Sequence, residues 1–415
     1  MSDLLRPGAD RAGSLIDDAA LLAAMVHIEN GWLAVLVAAG VAPRAAASNL
    51  SDLVSADDIA TLSAQAEASG NPVIPLVGML RARLADQNPT ASRWLHRGLT
   101  SQDVLDTALM LCSRAVLDHV MVEVHRQVVA LADLAARHRD AVLPGRTLTQ
   151  YAVPITFGYK AATWLSAVLD AADDLVLVRQ NLPAQVGGAA GTAAATTELA
   201  AIAGLTDPAG VAVTLSGALA DQVGLSKHVQ WHTTRRPLTR LADALVAATD
   251  AWGRIANDVL VLSRPEIGEL SEGTGGPSST MAHKHNPVLS VLIRSAALSA
   301  PMLGAQLHLA ASQAVDERPD GAWHAEWVPL RTLALACAVA AGQTTDLLGG
   351  LVVHADRMAE NASAGAADLL TERAAMRDLA GAEPLDGDVA HYLGATRLFV
   401  TAVLDRAEQF AKDLS

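Results

Sequence analysis

The stretch LTRLADALVAATDAWGRIANDVLVL, residues 238–262, decides the fold of this chain. Its apolar residues recur in alternating steps of three and four, which places them along one seam of an α-helix. The seam positions are Leu238, Leu241, Leu245, Ala248, Trp252, Ile255, Val259 and Leu262. A seam of this length predicts a long helix that packs against other long helices at a shallow crossing angle.

Four other segments predict helices of similar length. Val104–Arg137 contains no glycine or proline, and the others are Ile155–Asn181, Val288–Gln313 and Val328–Leu348. Five long helices predict an all-α fold built on a helical bundle. Several of these helices are apolar on all sides, so we expect burial against other copies of the chain in an oligomer.

The remaining chain falls on either side of this bundle. We predict an N-terminal helical domain over residues 1–98, a central long-helix bundle over 99–345 and a small C-terminal helical domain over 346–415. The boundaries follow the change from long apolar segments to shorter ones that are interrupted by glycine and proline.

A cap signal lies within the predicted N-terminal domain. Ser51 and Asp52 are residue types that commonly occupy the N-cap position of a helix. We therefore predict a helix that begins near Leu53.

Composition excludes several classes of protein. The 415 residues include 30 Lys and Arg against 44 Asp and Glu, a formal net charge of −14, which disfavours a nucleic-acid partner. Hydrophobic residues make up 51% of the chain but aromatic residues only 3%, which favours close-packed helices over a sandwich or barrel. An anionic substrate would require cations that are concentrated locally.

The sequence also bears on the cellular compartment. Cys112 and Cys337 are too few for a disulfide framework or a cysteine zinc site, and we expect both in the core. The N-terminus lacks a basic start followed by an apolar run, and no run of about 18 uninterrupted apolar residues is present. We therefore expect a cytoplasmic, reduced protein without a membrane interaction.

The segment Arg264–Pro287, RPEIGELSEGTGGPSSTMAHKHNP, carries the richest chemistry. Its glycines allow unusual backbone conformations, while its hydroxyl, amine and amide groups are suited to binding carboxylates. A loop of this kind between rigid helices is typical of a lid that closes over substrate. Composition alone leaves a solvated glycine–serine linker as the alternative.

The same segment resembles a family signature. Gly276–Pro287, GPSSTMAHKHNP, is similar to the GSSxMPxKxNP signature of the fumarase/aspartase superfamily. Pro277 is inserted before the serines or replaces a small residue, and Ala282 stands where the family usually has proline. Both departures change loop stiffness without removing a reactive group.

Two further segments support the resemblance. His96–Asp103, HRGLTSQD, resembles the HxGxTSxD segment of the adenylosuccinate lyase branch, and Gly145–Gln150, GRTLTQ, resembles its GRTHxQ segment. The resemblance implies a homotetramer in which the three segments come from three subunits and meet at each active site. It also implies a fold in which a long central bundle is flanked by smaller helical domains.

Within the superfamily the chain is most similar to the cycloisomerase branch, whose members lactonise 3-carboxy-cis,cis-muconate in the protocatechuate branch of aromatic degradation. The similarity rests on TSQD at Thr100–Asp103, WHT at Trp231–Thr233 and GAWHAEW at Gly321–Trp327. It implies a small tricarboxylate substrate and no cofactor, because the chemistry is proton transfer only. No spacing of His, Asp and Glu indicates a metal.

The resemblance also implies roles for individual residues. Ser278 is the catalytic base or proton donor, Lys284 stabilises the activated carboxylate, and His96 is a third catalytic candidate. The candidates for substrate binding are Thr100, Ser101, Gln150, Ser279, Met281, Asn286 and Arg318. Gly187–Thr192, GGAAGT, matches the family's GGxxGT and is expected to form a turn close to substrate.

From the residues alone, several roles have a plain structural alternative. Without the motif, His96 is better read as an ordinary polar loop residue, and Arg318 has the alternative of a surface ion pair with Glu317 or Asp316. His232 and His324 lie beside tryptophans, where each either contacts substrate or only satisfies packing and hydrogen bonds.

Leu148 is the largest departure from the wider family. The lyase branch has histidine there, which helps to protonate the leaving group, and leucine cannot transfer a proton. A departing carboxylate, whose conjugate acid has a pKa of about 4, leaves without an acid near neutral pH. The residue therefore favours the cycloisomerase over a lyase that releases fumarate from a succinylated amine. The other alternative is an inactive scaffold, and the intact Ser278, Lys284 and Asn286 count against it.

Overall fold

The computed structural model describes residues 4–273, 275, 276, 281 and 285–413, and it confirms the all-α fold. The α-helices of the described chain are α1 (Asp18–Ala38), α2 (Ile59–Ser69), α3 (Val73–Ala85), α4 (Pro89–Trp94), α5 (Ser101–Arg137), α6 (Phe157–Gln180), α7 (Ala194–Ile202), α8 (Pro208–Val223), α9 (Arg236–Leu262), α10 (Val288–Ser312), α11 (Gly321–Gly350), α12 (Ala355–Ala364), α13 (Ala366–Leu369), α14 (Thr371–Leu379) and α15 (Thr396–Asp413). Short strands are β1 (Val142–Thr147), β2 (Gln150–Thr156), β3 (Leu270–Glu272) and β4 (Leu351–Val353). Short 3₁₀ turns lie at Ala9–Ala12, Arg44–Ala46, Ala56–Asp58 and Val389–His391.

The five predicted long helices correspond to α5, α6, α9, α10 and α11. Every residue of the predicted seam on α9 is buried, which confirms the heptad interpretation. The indole N–H of Trp252 on this seam donates to Gln127 Oε1 at 2.7 Å, and Gln127 Nε2 donates to the carbonyl of Ala341 at 2.9 Å. One buried amide therefore ties α9 to α5 and α11.

The predicted helix start near Leu53 is wrong. The cap is Ser55, whose side chain accepts the backbone N–H of Asp57, and the chain passes through Ala56–Asp58 into α2. Asp58 returns a hydrogen bond from its carboxylate to the Ser55 N–H, which completes a capping box. Ser51 and Asp52 have no acidic or amide residue three positions later, so they lack this reciprocal bond.

A β-hairpin that the sequence reasoning missed precedes α6. Strands β1 and β2 pair antiparallel, with Thr147 opposite Gln150 across a two-residue turn, and the pairing is shifted between Pro144 and Arg146. Gly145 lies at this shift, where a Cβ atom would approach the carbonyl oxygen of Val153 to 2.4 Å. The strand delays the helix to Phe157 instead of the predicted Ile155.

The chain forms two compact units. The first comprises Met1–His119, Leu175–Leu245 and Pro301–Ala338, and within it α1 packs on α8 and α7 on α8. The second comprises Val120–Asp174, Val246–Ala300 and Val339–Ser415, and within it β1 packs on α12 and β2 on α13. The three-domain division along the sequence stays a prediction.

Two helices, α1 and α10, are long and apolar enough to cross a membrane by length and composition. In α1, 56% of the apolar window is buried within the protein, whereas in α10 only 22% is buried. Core helices of globular proteins pass the same test, so these two findings are weak evidence of a membrane span.

Candidate functional site

Asp103, in the first turn of α5, organises the motif region of the first unit. Its carboxylate is fully buried and accepts the backbone N–H groups of Thr100 at 2.9 Å, Gly187 at 2.8 Å and Gly188 at 2.9 Å. His232 Nε2 lies 2.8 Å from Oδ1 of the same carboxylate. One side chain therefore fixes the start of α5, the glycine turn and the buried histidine together.

The glycine turn at 187–192 is packed too closely for a side chain. A Cβ atom on Gly187 would lie 2.5 Å from His232 Cε1, so the motif glycine is required by this contact. His232 itself is buried with only 4% of its surface exposed, and its ring is held by Asp103. This placement favours the packing role of His232 over substrate contact.

Arg318 and Thr100 are brought together. Arg318 Nη2 donates to Thr100 Oγ1 at 2.5 Å and to the carbonyl of Ala189, in the glycine turn, at 3.1 Å. Ser101 follows Thr100 as the first residue of α5 and is buried. The N-terminus of a long helix, two hydroxyl side chains and a guanidinium group therefore lie side by side, an arrangement suited to an anion.

Behind this cluster lies a buried charge network that the sequence reasoning missed. Arg235 donates to both carboxylate oxygens of Asp106, at 2.7 and 3.1 Å, and to Glu326 at 2.7 Å. Burial alone would lower the pKa of Arg235, but Asp106 and Glu326 outweigh it and raise the pKa. Trp323 adds a hydrogen bond from its indole N–H to Asp106 Oδ1 at 2.9 Å. The sequence did offer a signal for this network, which was the recurrence of a charged residue every few positions in an otherwise apolar helix.

His96 lies in the turn between α4 and α5. Its backbone φ is +64°, and its Nδ1 lies 2.6 Å from Oε1 of Glu29, a fully buried residue of α1. His324, by contrast, is exposed, and its Nε2 donates to the carbonyl of Gly70 at 2.8 Å. Glu29 was not anticipated, because a lone acid on an apolar helix gives no indication of its distant partner.

In the second unit, the β1–β2 hairpin carries the GRTLTQ motif. Gln150 is exposed and donates to Thr149 Oγ1 at 3.2 Å, while Leu148 at the tip is 96% exposed. Arg146 is turned to the base of the hairpin, where it donates to both carboxylate oxygens of the buried Glu269, at 3.0 and 2.7 Å. Burial opposes the charge of Arg146, but hydrogen bonding to Glu269 raises its pKa above the usual value.

The described residues of the signature segment form its base. Gly276 and Asn286 exchange two backbone hydrogen bonds of 2.7 and 3.0 Å. Glu272 caps α10 by accepting the backbone N–H and the hydroxyl of Ser290, at 2.7 and 2.6 Å. Met281 is exposed, and the candidates Ser278, Ser279 and Lys284 lie outside the described residues.

Within the described part of the chain, no group of three or more His, Cys, Asp and Glu side chains is placed to hold a metal ion. The structure brings Thr100 and Arg318 together, and Ser101 and His96 belong to the same first unit. Gln150, Met281 and Asn286 belong to the second unit. Their roles toward substrate stay predictions.

Comparison with known proteins places this geometry in context. A family model described as "Lyase" matches residues 35–301. A nitrosuccinate lyase from Streptomyces davaonensis is 40% identical over 384 residues, which cover 90% of this chain and 80% of that protein. A 3-carboxy-cis,cis-muconate cycloisomerase from Bradyrhizobium diazoefficiens is 36% identical over 403 residues, which cover 95% of this chain and 86% of that protein.

Solved structures agree with the sequence comparisons. The crystal structure of 3-carboxy-cis,cis-muconate lactonizing enzyme from Pseudomonas putida superposes with a TM-score of 0.82 and 30% identity. The match covers 96% of this chain and 97% of that one. The fold is therefore the long-helix bundle of the fumarase/aspartase type.

Proposed function

Since the chain belongs to the lyase family of the fumarase/aspartase superfamily, we propose that it is a cycloisomerase that lactonises 3-carboxy-cis,cis-muconate. In this reaction a carboxylate oxygen of the substrate adds to a carbon–carbon double bond of the same molecule. A proton is added to the neighbouring carbon, which is α to another carboxylate. The product is a carboxymuconolactone, and the reverse reaction is a β-elimination.

The roles proposed for the signature segment follow from the family resemblance. In the eliminating direction Ser278 removes the proton α to a carboxylate, and Lys284 and Asn286 stabilise the dianion that forms. In the lactonising direction Ser278 returns the proton. A serine acts in this way only with strong electrostatic help, for which Lys284, the backbone amides of the segment and exclusion of water from the bound substrate are the candidates.

The first unit supplies the proposed carboxylate-binding groups. Arg318 lies against Thr100 at the N-terminus of α5, where backbone N–H groups and the helix dipole favour an anion. The Asp103 side chain is occupied by three N–H groups and His232 and is fully buried. These contacts explain how a chain with a net charge of −14 accommodates a trianion.

Leu148 is the observation that carries the proposal against a lyase that releases an amine. It stands at the exposed tip of the β1–β2 hairpin, at the position where the lyase branch has a proton-transferring histidine. An amine leaving group needs an acid, whereas a carboxylate with a conjugate-acid pKa of about 4 does not. The chain is therefore suited to a leaving group that departs as a stable anion.

A second candidate is elimination of nitrite from nitrosuccinate. It is favoured by the relative that is 40% identical to this chain. Nitrite is also a stable anion that departs without protonation, so Leu148 is compatible with this reaction as well. Both candidates share removal of a proton α to a carboxylate, and they differ only in the group that leaves.

We also propose that the protein is a cytoplasmic homotetramer with active sites shared between subunits. On α10 the side chains of Leu298, Met302 and Leu309 are 69%, 72% and 64% exposed, a costly apolar surface that a second copy would cover. Mixing a Ser278→Ala protein with a Thr100→Ala protein should restore partial activity after subunit exchange. A fully active monomer at assay concentration would contradict the shared site.

The deciding experiment gives the purified protein three substrates in parallel. We expect loss of the ultraviolet absorbance of carboxymuconate, little nitrite from nitrosuccinate and negligible fumarate from adenylosuccinate. The folded Ser278→Ala variant should lose at least about a hundredfold in turnover, the lower range for a general acid–base group. Efficient nitrite release would select the second candidate, and efficient cleavage of adenylosuccinate would overturn the account of Leu148.

A further inference from the structure

The turn that carries His96 is held in an unfavourable backbone conformation. A φ of +64° is uncommon for a residue other than glycine and persists only where the surroundings enforce it. Three neighbouring groups do so here. Arg81 Nη2 donates to the carbonyl of Leu95 at 2.7 Å, and the Trp32 indole donates to that of Arg97 at 2.7 Å. The third is the contact between His96 Nδ1 and Glu29.

Glu29 is an unusual residue to find in the core. It lies on α1 with none of its surface exposed, and its Oε1 is 2.6 Å from His96 Nδ1. Within the described chain its second oxygen, Oε2, is buried and accepts no hydrogen bond. A buried carboxylate is costly unless it is compensated, so a purely structural position would be better filled by an apolar residue.

The contact determines how the imidazole ring is presented. With Glu29 Oε1 as the acceptor, this hydrogen bond requires the imidazole tautomer that carries a proton on Nδ1. The ring plane is thereby fixed, and Nε2 is left without a hydrogen bond to the described residues. The His96 side chain is 17% exposed. Carboxylate–histidine pairs of this kind fix tautomer and orientation in other enzymes.

We propose that Glu29 is a positioning residue that acts through His96. By holding Nδ1–H, it fixes the ring orientation in which Nε2 meets the substrate. The inference rests on the proposed function in so far as His96 contacts substrate. The strain at His96 and the burial of Glu29 are thereby explained together.

A double-mutant cycle tests whether Glu29 acts through His96. Glu29→Gln keeps the shape of the side chain and should lower kcat/KM about tenfold, the lower range for a residue that orients another by a hydrogen bond. In the His96→Gln background the same change should alter kcat/KM less than about twofold, because the ring to be positioned is absent. Equal losses in both backgrounds would overturn the proposal and show that Glu29 only supports the fold.

A control variant separates this effect from general damage to α1. Asn30→Ala removes the hydrogen bond from the Leu50 N–H to the neighbouring Asn30 side chain, at 3.0 Å, without touching His96. It should lower the melting temperature while leaving kcat/KM within about twofold of the wild type. An Asn30→Ala loss as large as that of Glu29→Gln would also contradict a specific role for Glu29.

A second measurement needs no substrate. In protein labelled with ¹⁵N-histidine, the His96 signal, assigned by its absence from the His96→Gln variant, should show a protonated Nδ1. An unprotonated Nδ1 would overturn the positioning role, whatever reaction the enzyme catalyses. If the wild type turns over none of the three substrates, the proposed function fails and this spectrum still decides the role of Glu29.

Discussion

The start of α5 and the β1–β2 hairpin carry two of the family motifs, and both contain residues other than glycine with positive φ. At the first, His96 is held by buried side chains, and Asp103 joins Thr100 to the glycine turn. At the second, Leu148 and Thr149 have φ of +48° and +73° at a tip that is open to solvent. The start of α5 is therefore held in place by side chains of its own unit, whereas the hairpin ends at a solvent-exposed tip.

The difference separates motif residues that are occupied by buried partners from motif residues that are exposed. Asp103 and Arg146 belong to motifs that suggest catalysis, yet each is occupied by partners within its unit. The residues that remain available are Thr100, Arg318 and the hairpin tip. The positive φ values at the exposed tip are those that a two-residue hairpin turn requires.

The largest effect on stability is expected for the buried charge network that includes Asp106 of α5. Arg235→Met would leave Asp106 and Glu326 buried without their shared cation, so the free energy of unfolding should fall by about 3–5 kcal/mol. The matched control is Arg406→Met, which breaks exposed pairs with Asp170 and Asp173. It should cost no more than about 1 kcal/mol.

Urea unfolding of both variants measures this contrast. A loss for Arg235→Met as small as that for Arg406→Met would show that the buried network contributes little to stability. In that case the difference between the two regions would not lie in their buried charges.

A smaller effect is expected at the base of the hairpin. Arg146→Met removes two hydrogen bonds from the buried Glu269, but Asn361 Nδ2 still donates to Glu269 Oε1 at 2.9 Å. The free energy of unfolding should fall by about 2 kcal/mol, as for a buried acceptor that loses part of its hydrogen bonding. Arg146→Lys should recover only part of this, because lysine cannot donate to both oxygens in the same way.

Recovery of full stability by lysine would contradict this account. It would mean that Arg146 contributes charge alone and that the geometry of the hairpin base does not depend on the paired hydrogen bonds.

The parts of the molecule also differ in how far the sequence could predict them. The seam of α9 was predictable because heptad spacing reports burial directly, and its residues are buried. The Glu29–His96 and Arg235–Glu326 pairs were not, because their partners lie 67 and 91 positions apart. The hairpin was hidden because it interrupts helical segments with only a few strand residues and lacks the Asn-Gly turn that would signal it.

For the hairpin turn we predict a change of the opposite sign, a gain in stability. Thr149 is β-branched at a φ of +73°, where glycine is preferred, and it occupies the second central position of a two-residue turn. Thr149→Gly should therefore stabilise the protein by about 1 kcal/mol, measured by thermal unfolding. The matched change Thr147→Gly, in β1 before the turn, should destabilise it instead.

The smallest effect is expected for Leu148→His, which restores the histidine of the lyase branch at the exposed tip. Because a departing carboxylate needs no proton, lactonisation should change less than about threefold, far below the hundredfold typical of an added general acid. Leu148→Gln is the matched control, since it is polar and of similar size but does not titrate near neutral pH. A large gain in carboxymuconate turnover for histidine alone would mean that the leaving group does require an acid. The hairpin tip would then be the place where this chain lost catalytic power, and the argument from Leu148 to an anionic leaving group would fall.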